Sequence, residues 1–354
     1  MSSETKTAAS TSSSAAEAAA RLHDAKTIVR AHHAAISQAG AADVRQALSL
    51  HMDPDVHWRG MHPWHEQHGI DAVAGQFWTP LMTALTRPQR RVDAFFAGDN
   101  TLEGADGIWV ASMGHIMGLF DTAFLGIQPT GKLVMLRFAE FSRVLDGRIV
   151  EQAFFCDLLH LMHQAGQYPL PNMTAAQLVQ PGPMTHDAIL LEPQDAGESA
   201  KTLDLINDMI GMISKVNATD TPPPPQEELA RHWHDDMVWW GPTGIGATYT
   251  IDRYIEQHQQ PFRRQLGDRQ FNGHIARFAE GNYGGFFGWP NLTMDCTGPY
   301  LGLTPSGRKA DMRVVDIYRR DGDKLAENWI FIDMLHFLNM QGLDVLAQLE
   351  TRAR

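Results

Sequence analysis

The chain has 354 residues, 44% of them hydrophobic, with 41 acidic against 29 basic side chains and a formal net charge of −12 at pH 7. That length suits two cores of about 150 residues each better than one. The acidic balance argues against nucleic acid or an anionic membrane as a partner, since both call for basic patches, and it favours a small or uncharged ligand.

Residues 1–20 are Ser, Thr and Ala with scattered charge and read as a disordered tail. They lack the apolar core of a secretory signal, and no later stretch has the uninterrupted apolar length of a membrane span, so a cytoplasmic protein with no membrane partner is expected. A helix is predicted over 16–39, with Leu22, Ile28, Val29 and Ile36 on one face and Gly40 as the stop, then a shorter one over 42–50. Asp53, Pro54 and Asp55 mark a turn, 56–60 a short strand, and 61–69 a loop rich in His and Trp. Residues 70–85 read as a helix broken or ended at Pro80. Strands are predicted over 90–97, 108–117, 133–145 and 149–155, with turns at 98–100 and 146–147. Helices followed by a run of antiparallel strands mean α+β, with helices packed on a strongly curved antiparallel sheet.

A segment carrying Pro169, Pro171, Pro181, Pro183 and Pro193 reads as a linker, after which the order restarts. A helix over 196–216 has Leu203, Ile206, Ile210 and Ile213 at helical spacing. Asp236 to Gly241 answers Asp55 to Gly60 at an offset of 181, and 251–262, with Pro261, mirrors the helix around Pro80. Strands return through Phe271, Phe286, Leu292, Arg313 and Trp329.

The C-terminal parts of the two halves match in detail. Gly126, Arg137, Glu151, Asp157 and His160 recur as Gly302, Arg313, Glu327, Asp333 and His336, each 176 positions later (333 less 157). Two copies of one domain follow: residues 21–168 and 195–354, joined by a linker over 169–194. The two cysteines, Cys156 and Cys296, offer neither a disulfide framework nor zinc-type spacing and read as small buried hydrophobes.

Gly-Ile-Gln-Pro-Thr-Gly-Lys at 126–132, Glu140 with Phe141, the run 146–151, and Asp157 followed by Gln164, Ala165 and Gly166 resemble the SnoaL-like polyketide cyclases. The resemblance implies the nuclear transport factor 2-like fold, here as two tandem cone-shaped α+β barrel domains, each enclosing an apolar pocket. It also implies an intramolecular aldol closure by an aspartate at the end of the last strand, acting as acid and base without metal or cofactor. The matching residues are Asp157 and Asp333. Six residues before the first glycine of the loop, where such cyclases usually carry a histidine, this chain has Phe120 and Cys296.

On the last strand of the second copy Glu327, Trp329, Phe331 and Asp333 alternate and share a face. An aspartate ending an aromatic face is desolvated, which raises its pKa toward neutrality and makes it a usable acid and base. The alternative is a helix N-cap, doing no more than accepting backbone N–H bonds. Arg137 and Arg313 interrupt apolar strands, so each either steadies an anionic oxygen of the substrate or pairs with Glu151 or Glu327.

His57, His62, His65 and His68, with Trp58 and Trp64 among them, form the densest set of potential ligands, though His65 and His68 are one residue short of His-Glu-x-x-His. Pocket contacts are expected from His57, Trp58, His62, His115 and Asp121 in the first copy, and from Trp239, Trp240, Cys296 and Trp329 in the second. The expected function is a cofactor-independent acid/base enzyme of cyclase, isomerase or lyase type, acting on a small carbonyl-containing or polyketide-like molecule. A small-molecule binder without turnover, and a metal-dependent enzyme using the histidine loop, are the alternatives. The two domains are expected to pack sheet to sheet as an internal pseudo-dimer, with a further homo-oligomer left open.

Overall fold

The computed structural model describes residues 4–102, 107–217, 219 and 221–352. The first half runs α1 (Glu4–Gln38), α2 (Val44–Ser49), β1 (Met52–Gly60), β2 (His65–His68), α3 (Ile70–Val73), a π-helical turn over Ala74–Trp78, α4 (Thr79–Ala84), β3 (Leu85–Asp99), β4 (Ile108–Phe120), β5 (Leu133–Leu145), β6 (Arg148–Cys156) and α5 (Leu158–Gln164). The second repeats the order as α6 (Ala196–Asn217), α7 (Pro225–Leu229), β7 (Trp233–Trp240), β8 (Thr248–Tyr249), α8 (Ile251–Tyr254), a π-helical turn over Ile255–Gln259, α9 (Gln260–Gln265), β9 (Leu266–Phe271), β10 (Ala276–Glu280), β11 (Tyr283–Cys296), β12 (Lys309–Asp321), β13 (Lys324–Ile332), α10 (Met334–Met340) and α11 (Val345–Arg352).

Each half forms its own sheet: β2-β1-β6-β5-β4-β3, and β8-β7-β13-β12-β11-β10 with β9 also on β11. The pairings are antiparallel except β1 with β6 and β7 with β13, where the first strand of a domain returns beside its last. Helices close one face of each sheet, giving the two α+β domains that the repeat predicts.

Three local expectations shift. The first helix starts at Glu4, well before residue 16, so most of the segment read as a tail is helical; its alanines favour that state. The turn expected at Asp53 and Pro54 lies within β1. Neither Pro80 nor Pro261 breaks its helix. Each follows a π-helical turn and stands at the second position of the next helical segment, where a missing N–H is tolerated.

The repeated Gly-x-x-Pro loop needs its glycines: Gly126 and Gly302 have φ of 80° and 72°. The loops then fold back on the preceding strand, with Gly131 donating to the Phe120 carbonyl at 2.9 Å and Gly307 to that of Cys296 at 2.9 Å. Both Phe120 and Cys296 are buried, so the residues standing six before each loop plug its base.

Period two along the strands separates two cores. One face of each sheet packs under its own helices. The other faces meet each other in an aromatic layer, where Phe141 stands 5.6 Å from Phe278 and 5.4 Å from Phe287, and Trp109 5.3 Å from Phe287. On β12 and β13, Val315, Ile317, Trp329 and Phe331 belong to this layer between the domains. Val314, Asp316, Tyr318, Asn328, Ile330 and Ile332 alternate with them and face the interior of the second domain.

Polar contacts tie the halves further. Lys26 of α1 reaches the second domain's Glu280 at 2.6 Å, both fully buried, and Glu280 also accepts the Ala97 N–H at 2.7 Å. Burial raises the Glu280 pKa, opposed by Lys26 and that N–H. The proline-bearing connection between α5 and α6 is anchored to both domains: the Phe95 N–H donates to the Ala188 carbonyl and the Leu190 N–H to the Phe95 carbonyl, each at 2.8 Å, and Ala176 pairs with Ala247.

Candidate active site

Asp157 and Asp333 end the last strands of their sheets and cap the helices that follow. Asp157 Oδ1 accepts the His160 N–H at 2.9 Å, and Asp333 Oδ1 accepts that of His336 at 3.2 Å. The second oxygen of each crosses to the other domain: Asp157 Oδ2 accepts the Thr243 N–H at 2.8 Å, and Asp333 Oδ2 accepts the His62 N–H at 2.9 Å. His62 and Thr243 are themselves 181 positions apart, so one contact is the image of the other. Burial pushes the Asp333 pKa up to about 6, held back by Arg313 and the two backbone donors. The space between the two aspartates is about 10 Å³, room for no more than a single water molecule. The shared face of Trp329, Phe331 and Asp333 is therefore as predicted, but it looks at the other domain.

The arginines point the same way. Arg137 donates to the Trp240 carbonyl at 3.1 Å and lies 3.9 Å over the Phe331 ring; burial lowers its pKa to about 9, with Asp157 acting in the opposite sense. Arg313 lies 4.0 Å over Trp289, 2.9 Å from His65 Nδ1 and 3.3 Å from Asp333. The expected pairings with Glu151 and Glu327 do not form. Glu151 binds Arg59 and Arg143, and Glu327 binds Arg319, because Arg143 and Arg319 stand directly opposite these glutamates in the strand register and Arg59 is on the adjoining strand β1.

The large cavity is inside the second domain, about 510 Å³, walled by α6, the helices around Tyr254 and the inner face of the sheet. Its floor carries Asp316 on β12. That carboxylate is buried, accepts Asn328 Nδ2 at 3.0 Å and is hydrogen-bonded by Tyr318. Burial raises its pKa to about 7, with Asn328 and Tyr318 restraining the rise. In the lining of the same cavity, His258 stacks on Trp239 at 4.0 Å with Tyr254 edge-on at 5.3 Å. Burial drops the His258 pKa to about 3, so the ring is neutral, and its Nδ1 has no hydrogen-bond partner. The Gln259 side-chain oxygen, also in the wall, is likewise unpartnered. A buried carboxyl titrating near neutrality, in a cavity that also holds a neutral imidazole, can move a proton at carbon or oxygen of a ligand.

The matching region of the first domain is closed. At the offset of 176, Asp316 corresponds to Glu140 and Asn328 to Gln152; at 181, Trp239 corresponds to Trp58 and His258 to Phe77. Glu140 is fully buried, 2.5 Å from His33 Nε2 and 3.2 Å from Arg90. Arg90 and the His33 hydrogen bond hold its carboxyl far below the usual range despite burial. Rings occupy the interior, with Phe77 5.3 Å from Trp58 and 4.8 Å from Phe154. The void beside Trp78 and Arg90 is about 20 Å³.

Of the expected pocket residues, Trp239 alone lines the large cavity. Trp58 fills the first domain's core. Trp240 and Trp329 pack in or against the layer between domains, Trp329 donating to the Pro181 carbonyl at 3.0 Å. His115 is buried against Asp93 at 3.1 Å, Asp121 is exposed beyond β4, and Cys296 plugs its loop with its thiol pushed up to about 11 by burial. The histidine loop divides: His62 and His65 turn to the interface, while His57 and His68 stack at the surface. Asp316, Tyr318, Asn328, Tyr254 and His258 were missed. The available signal was the lone carboxylate alternating with Val314 and Tyr318, at the position of Glu140.

Helices packed on a mostly antiparallel sheet, twice along the chain, make the tandem α+β arrangement that the resemblance to the nuclear transport factor 2-like fold implies. The family model described as SnoaL-like polyketide cyclase matches residues 26–165 and 228–339, and the chain belongs to that family. Among solved structures, AclR of Streptomyces galilaeus is 22% identical, over 41% of this chain and 96% of its own, with a TM-score of 0.33. IdmH of Streptomyces antibioticus is 20% identical over 40% and 96%, TM-score 0.33. An NTF2-like protein of Burkholderia xenovorans is 11% identical over 40% and 97%, TM-score 0.31. No curated protein matches the chain. Among the described residues no helix is long and apolar enough to cross a membrane.

Proposed function

We propose that the second domain is an acid/base enzyme of cyclase, isomerase or lyase type, acting on a small carbonyl-containing molecule held in the 510 Å³ cavity. The observation that carries this reading is Asp316, a buried carboxyl on the cavity floor with its pKa near 7. The carboxylate takes a proton from the carbon next to the carbonyl, the C–H electron pair forms a C=C bond while the C=O π pair moves onto oxygen to give an enolate, and the new carboxylic acid returns the proton after the bond change. Neutral His258 offers a ring nitrogen for the developing oxygen charge. Asp157 and Asp333, with both oxygens engaged, act as links between domains in this reading. Membership of the family supports the reaction class. Two unpaired, buried cysteines support a reducing compartment such as the cytoplasm.

The test is deuterium exchange at the acidic carbon of simple 1,3-dicarbonyl compounds, followed by NMR. The wild type is expected to accelerate exchange, and Asp316→Asn to lower that acceleration about 10²-fold or more with the fold kept. Exchange at the buffer rate with the wild type, or full exchange with Asp316→Asn, would overturn the reading. Saturable binding without exchange would favour a carrier instead.

A further inference from the structure

The half of the histidine loop that stays at the surface has a geometry of its own. β1 and β2 form an antiparallel pair in which His57 stands opposite His68 and Arg59 opposite Glu66. Residues 66 and 68 share a face of β2, so one face of the pair gathers two imidazoles and a carboxylate. The rings of His57 and His68 stack at 4.6 Å, His57 Nε2 is 2.9 Å from Glu66 Oε2, and a ligand atom from each of the three lies within 4.8 Å of the others.

We propose that His57, Glu66 and His68 bind one borderline divalent cation, zinc or copper(II). Two imidazoles and a carboxylate are the donor set these ions take, and an exposed site leaves the remaining positions to water. Ligand atoms around a zinc ion at about 2.0–2.2 Å stand roughly 3.4 Å apart, so rotation of these partly exposed side chains closes the set without moving backbone. Two features prepare it. Glu66 Oε1 accepts the Trp289 Nε1–H at 3.0 Å, which aims the carboxylate from the second domain as an outer-shell partner does. The neighbouring Arg59 is paired with Glu151. Because Glu66 is held by Trp289 of β11, the ion would fasten the first domain's hairpin to the second domain. None of the three residues lines the second domain's cavity, and the site needs no assumption about the reaction.

Zinc chloride titrated calorimetrically into the full, tag-free chain is expected to show one equivalent bound. His57→Gln and His68→Gln should each weaken binding at least tenfold, and Trp289→Phe, which keeps the ring but loses the N–H, about tenfold. The melting temperature should rise with zinc in the wild type and rise less at the same zinc concentration in the histidine variants. Copper(II) spin resonance should report two imidazole nitrogens. Absence of saturable zinc binding, affinity unchanged in both histidine variants, or fewer than two bound nitrogens would each overturn the proposal.

Discussion

The Asp333 carboxylate at the end of the second domain's last strand accepts the backbone N–H of His62, in the first domain, at 2.9 Å. The same oxygen is 3.3 Å from Arg313, and the other caps α10. One side chain thus completes a helix, a buried ion pair and a domain contact, and Asp157 repeats the helix and contact with Thr243.

Asp333→Ala is expected to destabilise the chain by about 3 kcal/mol, from the lost cap, the lost cross-domain bond and the unpaired Arg313. Asp157→Ala should cost about 2 kcal/mol from its cap and cross-domain bond. Denaturant unfolding checks the magnitudes, and amide exchange should speed at residues 61–64 in the first variant and 242–245 in the second. In the proposed mechanism, neither change removes the catalytic proton acceptor. Loss of exchange activity in a fully folded Asp333→Asn protein would return that aspartate to the chemistry.

Asp316 ties activity and stability to pH in opposite directions. Its folded pKa, about 7, is above the unfolded value of 3.8, so between these limits the native state binds more protons than the unfolded one. Stability contributed by the protonated form is complete below pH 4 and is lost as pH rises through 7. Asp316→Asn should remove that fall, seen by comparing unfolding free energies of the two proteins from pH 4 to 8. The rate of proton abstraction should instead climb through pH 7 as the base ionises.

The asymmetry of the two interiors sets stoichiometry. One ligand per chain is expected by calorimetry, since Trp58, Phe77 and Phe154 occupy the region that is open in the second domain. Trp239→Ala should weaken ligand binding with its stacking surface gone. Trp58→Ala should leave affinity unchanged and cost about 3–5 kcal/mol of stability as a core truncation. Two equivalents bound to the wild type would contradict this division.

Duplication was legible in the sequence because a repeat is a property of the chain itself: Gly126 and Gly302 must recur where a backbone turn needs positive φ, and Asp157 and Asp333 where a helix needs a cap. The α+β class followed from the change of period between helices and strands. Alternation also established which residues of β13 share a face. It could not say what that face meets, because a strand buried on both sides is apolar on both. Packing of one sheet on the other decided that Trp329, Phe331 and Asp333 look toward the other domain while Asp316 and Asn328 look into a cavity. Tertiary structure likewise decided which of two similar interiors is open: that depends on summed side-chain volume from distant segments, Phe77 against His258 and Phe154 against Ile330, and no local pattern carries that sum.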